Sequence, residues 1–362
     1  MKILFLGWLD EGQTSRMRME VLRELGHTVI PLNCQDIWRC SSWASRHFQQ
    51  RLNNGPAINR LNSSLFQLAR EHKPDLLWAE KQEHIRPEVL NQLRNRGIRL
   101  LHYTPDPYFT LDWKRSKLMD ACLPLFDYVV TSKQYELGEY REVCQKVIYI
   151  PLGYDEGAHR PISPPNLNAW QIFNSDVTFV GGWEPRRQLL LEAIARLDCN
   201  LKIWGYGWDH VADGKWTPRR AFRLRRLAGQ GSFHITKSDF LAKALQGGEV
   251  YGDQYAWALT GARINVGFLR QVWPDQHTTR TFEIPACRSM LLADRTDEHL
   301  EFFAEGKEAE FFSSQEELQD KARFYLSHES LREKIAWNGY HRCLNSNYSY
   351  KHRVRSIMNQ LN

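Results

Sequence analysis

The stretch HTTRTFEIPACRSMLLAD, from His277 to Asp294, decides how this chain is read. Its first part opens a helix, and MLLAD is an apolar run of the kind that forms a buried strand. A helix start carries unpaired backbone N–H groups and positive dipole potential, so an anion is its natural guest. Arg280 adds a planar fork suited to phosphate oxygens. Glu283, one turn on, is an acceptor suited to sugar hydroxyls, and His277 stands three residues before Arg280 in the same loop. This combination points to a site for a nucleoside diphosphate carrying a sugar.

Outward from this segment, strand and helix signals alternate. Before it lie DVTFVGG (176–182), the helix PRRQLLLEAIARL, NLKIWGYG, the helix GDQYAWALTGA and RINVGF. After it come the helices QEELQDKARFYLSH and ESLREKIAWNGYHRCL. The first 150 residues alternate in the same way, with buried-strand candidates KILFLGWL, HTVIPLN, DLLWAE, IRLLHYT, FDYVVTS and KVIYIPLG. Such alternation predicts parallel, doubly wound sheets, whose ligands sit beyond the carboxyl ends of the strands. The run PISPPNLNAW (161–170) breaks the pattern and reads as a linker. Expected domains are therefore 1–155 and 170–345, facing a cleft, with a helix over 346–362 crossing back to the first.

A chain of 362 residues suits two such domains, and a hydrophobic content of 42% with 25% charged residues is ordinary for a globular protein. No apolar run approaches the roughly 18 residues of a membrane span. The start, MKILFLGWLDEG, reads as a first strand and not as a signal peptide. Seven scattered Cys without a CxxC pair argue against a disulfide framework or zinc site and for a reducing cytoplasm. The net charge of +6 is concentrated in PRRAFRLRRLAG (218–229), which holds five Arg. That stretch reads either as a basic amphipathic helix touching the anionic inner face of a membrane or as a solvated helix face.

Several chemistries fail on the sequence. Gly7 and Gly12 do not make G-x-G-x-x-G, and no acid ends the second strand, where Leu32, Asn33 and Cys34 stand. There is no P-loop, no G-x-S-x-G elbow and no Cys with a credible His partner. In the second half, Gly181 and Gly182 end a strand and Pro185-Arg186-Arg187 opens a helix, which suits a diphosphate as well as it suits a surface Arg pair. Gly205 and Gly207 flank a turn where a base or ribose can approach. In the first half, Asp106 is braced by Pro105 and Pro107 after IRLLHYT. It fits a base that deprotonates an acceptor hydroxyl, or a turn Asp holding its own backbone. His102 fits either a sugar contact or the sheet core. Trp38, Trp43 and Phe48 fit either acceptor stacking or a helical core face.

The ordered set FVGGWEPRRQLL, KIWGYGW, YAWALTGARINVGF, HTTRTFEIPAC with MLLAD, and IAWNGYHR, preceded by YIPLGYD, resembles the CgeB-like (spore maturation protein B type) glycosyltransferases. The likeness covers roughly 146–345; in the first half only TPDPYF and YVVTS carry it. It implies the GT-B fold of two Rossmann-like domains, a nucleotide-sugar donor held mainly by the second, a hydroxyl acceptor, and no required metal or cofactor. Residue by residue, it implies diphosphate contacts from Arg187 and Arg280 and ribose contact from Glu283. Related retaining enzymes show E-x(7)-E, matched here only in part by Asp275. Arg288 stands where that family usually has Gly. The function expected is transfer of a sugar from a nucleotide diphosphate to a hydroxyl, with Asp106, His102 and Asp275 as catalytic candidates. Gly182, Arg186, Arg187, Gly205, His277, Arg280 and Glu283 are the expected donor-binding residues. A nucleotide-sugar epimerase and a non-catalytic nucleotide-sugar or anionic-lipid binder are the alternatives, and nucleic-acid binding finds no recognised module.

Overall fold

KILFLG at residues 2–7 buries five positions in succession, which a strand does only when both faces of its sheet are covered. The computed structural model describes residues 1–39, 41–111, 114–214 and 237–361, and the basic stretch 218–229 lies outside them. Contacts divide the chain into Met1–Leu152 with Tyr350–Asn362, and Gly153–Ser349.

The first unit holds strands β1 (Lys2–Gly7), β2 (Thr28–Asn33), β3 (Leu76–Glu80), β4 (Arg99–Thr104), β5 (Tyr128–Thr131) and β6 (Val147–Tyr149), all parallel, in the order β2-β1-β3-β4-β5-β6. Its helices are α1 (Thr14–Glu24), α2 (Cys34–Arg39), α3 (Trp43–Leu52), α4 (Pro56–His72), α5 (Pro87–Arg94), α6 (Lys117–Cys122) and α7 (Leu137–Val143). One core cluster, with Leu61, Leu90 and Phe126, covers one face of the sheet. The other face packs Phe5, Trp78 and Leu101 against Val354 and Ile357 of the terminal helix Tyr350–Gln360. A buried ion pair fixes that face. Glu80 accepts from Ser15 Oγ at 2.7 Å and from Arg18 Nε at 3.1 Å, and the Arg18 guanidinium lies 4.6 Å from the Tyr103 ring and 4.9 Å from that of Tyr350.

The second unit carries β7 (Ser175–Val180), β8 (Leu201–Trp204), β9 (Ala262–Gly267), β10 (Met290–Asp294) and β11 (Glu310–Phe312), parallel in the order β11-β10-β9-β7-β8. Helices α8 (Leu167–Phe173), α9 (Pro185–Ala195), α10 (Asp209–Asp213), α11 (Asp239–Ala242), α12 (Gly252–Thr260), α13 (Arg280–Ala286), α14 (Asp297–Phe302), α15 (Gln315–Ser327) and α16 (Glu329–Asn345) surround it, and the helix Tyr350–Gln360 of the first unit is α17. Three details depart from the sequence reading. The proline-rich run ends in α8, because the Asn166 side chain caps it by accepting from Ala169 N at 2.9 Å. The unit begins at Gly153, so that run lies within it. Strand β11 and helix α14 are short elements that the apolar pattern did not single out.

Of the described cysteines, all free thiols, Cys34, Cys122, Cys144, Cys287 and Cys343 are buried and Cys199 is half-buried. Among the described residues no helix is long and apolar enough to cross a membrane.

Candidate functional site

In the second sheet the chain moves from β7 to β8 on one flank, while β9, β10 and β11 extend the other. The carboxyl ends of β7 and β9 therefore flank the switch point, where open parallel sheets take their ligands. Arg187 spans it. Its Nη1 donates to Gly182 O and its Nη2 to Phe268 O, each at 3.0 Å, so one guanidinium ties together the chain just past both strands. Burial pushes this guanidinium down to about 10, against the pull of Glu184, with Arg280 and Arg270 adding to the fall. Where a diphosphate contact was expected, both terminal nitrogens of Arg187 donate to carbonyls, its Nε is buried without a partner, and the side chain braces the two strand ends.

Arg186 is also engaged. It pairs with Asp294 at the end of β10, whose other oxygen accepts from Leu269 N at 2.8 Å. Glu184, buried before α9, faces Arg270 at 3.5 Å and Arg187 at 3.7 Å. The Arg270 guanidinium lies 4.3 Å from the Trp273 ring. Neither Glu184 nor Arg270 was singled out from the sequence, although Glu184 lies within FVGGWEPRRQLL and Arg270 just after RINVGF.

The glycines serve the backbone. Gly205 has φ +140, and a Cβ there would sit 2.1 Å from Gly181 O. A Cβ on Gly182 would meet the Tyr206 ring at 2.6 Å. The close approach that these residues permit is thus between the turns after β7 and β8.

Glu283 sits in the middle of α13 with one carboxylate oxygen accepting from Tyr255 Oη at 2.5 Å. Burial first, and then the Glu283 charge, hold the Tyr255 phenol well above its ordinary value, so it stays a donor. The other carboxylate oxygen lies 3.6 Å from His159 Nε2. His159 Nδ1 accepts from Asp155 N at 2.9 Å, so this nitrogen bears no proton and the neutral ring carries its hydrogen on Nε2, facing Glu283. The ring is placed by an Asx turn in which Asp155 Oδ1 accepts from Gly157 N at 3.0 Å and Ala158 N at 2.8 Å. Tyr255 stands in the YAWALTGA motif and His159 in no motif, and nothing local signals that Tyr255 meets a residue 28 positions away.

Arg280, at the start of α13, differs from the other arginines here. No hydrogen bond or ion pair joins its side chain to the described residues, and its Nε is buried without a partner. Its charge reaches Arg187 and Tyr255. Arg288, just past α13, adopts φ +55, the backbone that Gly favours, with its guanidinium 4.7 Å from the Trp337 ring. The chain after the helix therefore takes a glycine-like turn without glycine.

His277 is placed otherwise than the sequence suggested. It is 2% exposed, its Nδ1 is bonded to Glu298 and its ring packs on Phe282 and Phe302. It is a core histidine that anchors the loop before α13. Asp275 is half-buried in that loop.

Asp106 and His102 lie in the first unit, where both line one small pocket after β4 with Lys81, Thr104 and Lys114. Asp106 lies 3.6 Å from both Lys81 Nζ and Lys114 Nζ. His102 packs edge-on against Phe126, and burial pushes its imidazole down to about 3, so it holds no proton near neutrality and is too weak a base to take one. Lys81 has φ +53, a left-handed non-glycine backbone at the end of β3. Trp38 is core, whereas Trp43 and Phe48 face solvent. Among the described residues no three His, Cys, Asp or Glu side chains cluster as a metal site requires.

Residues 186–359, just under half of the chain, match a family model described as glycosyl transferase-like. No curated protein sequence matches the chain. Among solved structures, HepE from Anabaena in complex with UDP-glucose aligns at 14% identity and TM-score 0.62, covering 100% of this chain and 99% of its own. Sucrose-phosphate synthase from Thermosynechococcus elongatus aligns at 13% and 0.67, covering 100% and 98%. An Escherichia coli trehalose-6-phosphate protein bound with UDP-2-fluoro glucose aligns at 11% and 0.62, covering 100% and 99%. These alignments run end to end over both parallel-sheet units, and the family match fills most of the second; the chain is a glycosyltransferase of the GT-B fold.

Proposed function

We propose that this enzyme moves a sugar from a nucleoside diphosphate, UDP first among the candidates, to a hydroxyl acceptor, without a metal ion, and that it is of the CgeB-like type. The observation that carries the reading is the pair on α13: a carboxylate set by Tyr255 and His159, and one helical turn before it a guanidinium that no described residue engages. The UDP-sugar complexes of the structural relatives favour the same class of donor. In this reading Glu283 accepts from the ribose hydroxyls. Arg280 neutralises charge as the bond from the anomeric carbon to the diphosphate breaks and the diphosphate leaves with the electron pair. The acceptor oxygen bonds to the anomeric carbon, and Asp106 is the candidate to take its proton. Arg186, Arg187, Glu184 and Arg270 shape the floor, and Asp275 borders the loop before α13. A cytoplasmic enzyme is the natural setting for a chain with buried free thiols.

The test is a thermal-shift screen against UDP, GDP, ADP, CMP and dTDP, with and without EDTA. A ligand at 100 times its dissociation constant adds about 2.7 kcal/mol, which in a unit of this size raises the melting temperature by about 5–10 °C. One diphosphate should give that shift with EDTA present. No response to any of the five would refute the donor site, and a response abolished by EDTA would refute metal independence.

A further inference from the structure

Helix α3 is inverted relative to an ordinary surface helix. Trp43, Phe48 and Leu52 are 63%, 66% and 57% exposed, while Gln49 is the residue it buries. The buried side is polar: Gln49 Oε1 accepts from Ala57 N at 2.8 Å and Nε2 donates to Ser45 Oγ at 2.9 Å. Arg46 is tucked over the Trp8 and Trp38 rings at 5.2 and 5.7 Å. At 100° per residue, Trp43, His47, Arg51, Ala44, Phe48 and Leu52 follow one another around the outward half of the helix. The side turned to water is therefore the apolar one.

The stretch of chain around it is basic. From Ile37 to Arg70 the sequence has five Arg and no Asp or Glu. Arg46 is spent on rings and Arg39 on Asp10 and Asp36, but Arg51, Arg60 and Arg70 are exposed. A Trp, a Phe and a Leu displayed together with arginine and without acids is the composition of a helix that lies in the headgroup layer of an anionic bilayer. A neutral apolar partner would not call for an acid-free, arginine-bearing stretch of chain around the exposed rings.

We propose that α3 and the start of α4 form a docking surface for an anionic lipid membrane, with Trp43, Phe48 and Leu52 inserted among the headgroups and Arg51 and Arg60 on the phosphates. The surface is separate from the donor site and does not depend on the proposed reaction. It also does not rest on residues 218–229.

The experiment is vesicle flotation of the full chain at low and high salt, using phosphatidylcholine alone and phosphatidylcholine with about 30 mol% phosphatidylglycerol. The protein should float with the anionic vesicles at low salt and much less at high salt. W43S/F48S/L52S should lower the bound fraction at least about tenfold. R51A/R60A should lower partitioning about 30-fold, near 5-fold per arginine. Both variants should keep the wild-type melting temperature and UDP response, which separates failure here from failure of the donor site. Should the triple variant melt early, the arginine pair alone carries the test. Unchanged binding by either well-folded variant overturns the proposal, as does equal binding to neutral vesicles. So does a wild-type dimer that ignores both vesicles and becomes a monomer in the triple variant, since a second copy would then be the occupant.

Discussion

Two arginines from motifs of equal appearance should fail in opposite ways. Arg187→Ala removes two charge-assisted bonds of 3.0 Å and the 3.7 Å partner of buried Glu184, leaving that carboxylate with Arg270 and the Gln271 backbone N–H. Breaking a buried pair in this manner costs about 3–5 kcal/mol, so the second unit should melt roughly 6–20 °C lower. Arg280→Ala removes a side chain with no hydrogen bond or ion pair among the described residues, together with a buried unpartnered Nε and a like-charge neighbour of Arg187, so the melting temperature of the free protein should hold or rise. Its cost appears on ligand addition, where a lost charge-assisted bond of about 1.5–3 kcal/mol weakens UDP binding about 10- to 150-fold. The assay is a melt of each variant with and without UDP, together with calorimetric titration at a temperature where both are folded. An Arg187→Ala protein that melts like wild type but no longer binds UDP, beside an Arg280→Ala protein that still binds, would refute the assignment of brace and ligand contact.

Other outcomes follow from the same geometry. Tyr255→Phe should loosen Glu283, lowering the melting temperature by about 4–8 °C for roughly 2 kcal/mol and raising the UDP dissociation constant several-fold, both measured on the folded variant. Gly205→Ala should yield no folded second unit, because its Cβ would overlap Gly181 O at 2.1 Å, whereas Gly97→Ala, with φ +76 and open space, should cost only about 1–2 kcal/mol; solubility and circular dichroism distinguish them. Burial pushes His102 down to about 3 and His299 to about 4, so between those values and 6.5 the unfolded chain binds protons that the native state refuses. Stability is therefore full above the unfolded value and falls with pH, by about 2 kcal/mol per group at pH 5. His102→Leu should flatten the pH dependence of the melt of the first unit, and an unchanged slope would count against the neutral buried imidazole.

Much of the architecture was legible because parallel strands buried on both faces leave continuous apolar runs, as in KILFLG, LLWAE and MLLAD. Three-residue β11 has too little sequence to show such a run. Helix α8 was hidden by the prolines before it, since the signal that starts it is one capping Asn. At the site, residue types were legible but their allotment was not. Whether a guanidinium is a brace or a ligand contact depends on carbonyls and carboxylates that arrive from other strands: Phe268 is 81 positions from Arg187, and Asp294 is 108 from Arg186. His277 is a similar case. Its place three residues before Arg280 puts it in the right loop, but the side chain turns inward to Glu298, 21 positions on.

The allotment itself argues for where the ligand binds. The switch-point end of the second sheet gathers Arg186, Arg187, Arg270 and Arg280, and the fold gives each of the first three internal partners, Asp294, two carbonyls, and Glu184 beside an aromatic ring, although Arg187 Nε too is buried without one. A buried donor left unsatisfied costs about 1–3 kcal/mol, and like charges close by add to that cost. Arg280 bears both burdens, since its Nε is buried without a partner and it stands near enough to Arg187 to lower that group's proton affinity. Glu283 is the nearest acid along the helix, yet Tyr255 and His159 hold both its oxygens away from a bidentate pair with Arg280. Stability alone would favour that pair. Keeping the acid and the guanidinium apart makes physical sense where an anion meets the guanidinium and hydroxyl groups meet the carboxylate, which is the division of labour that a nucleoside diphosphate offers.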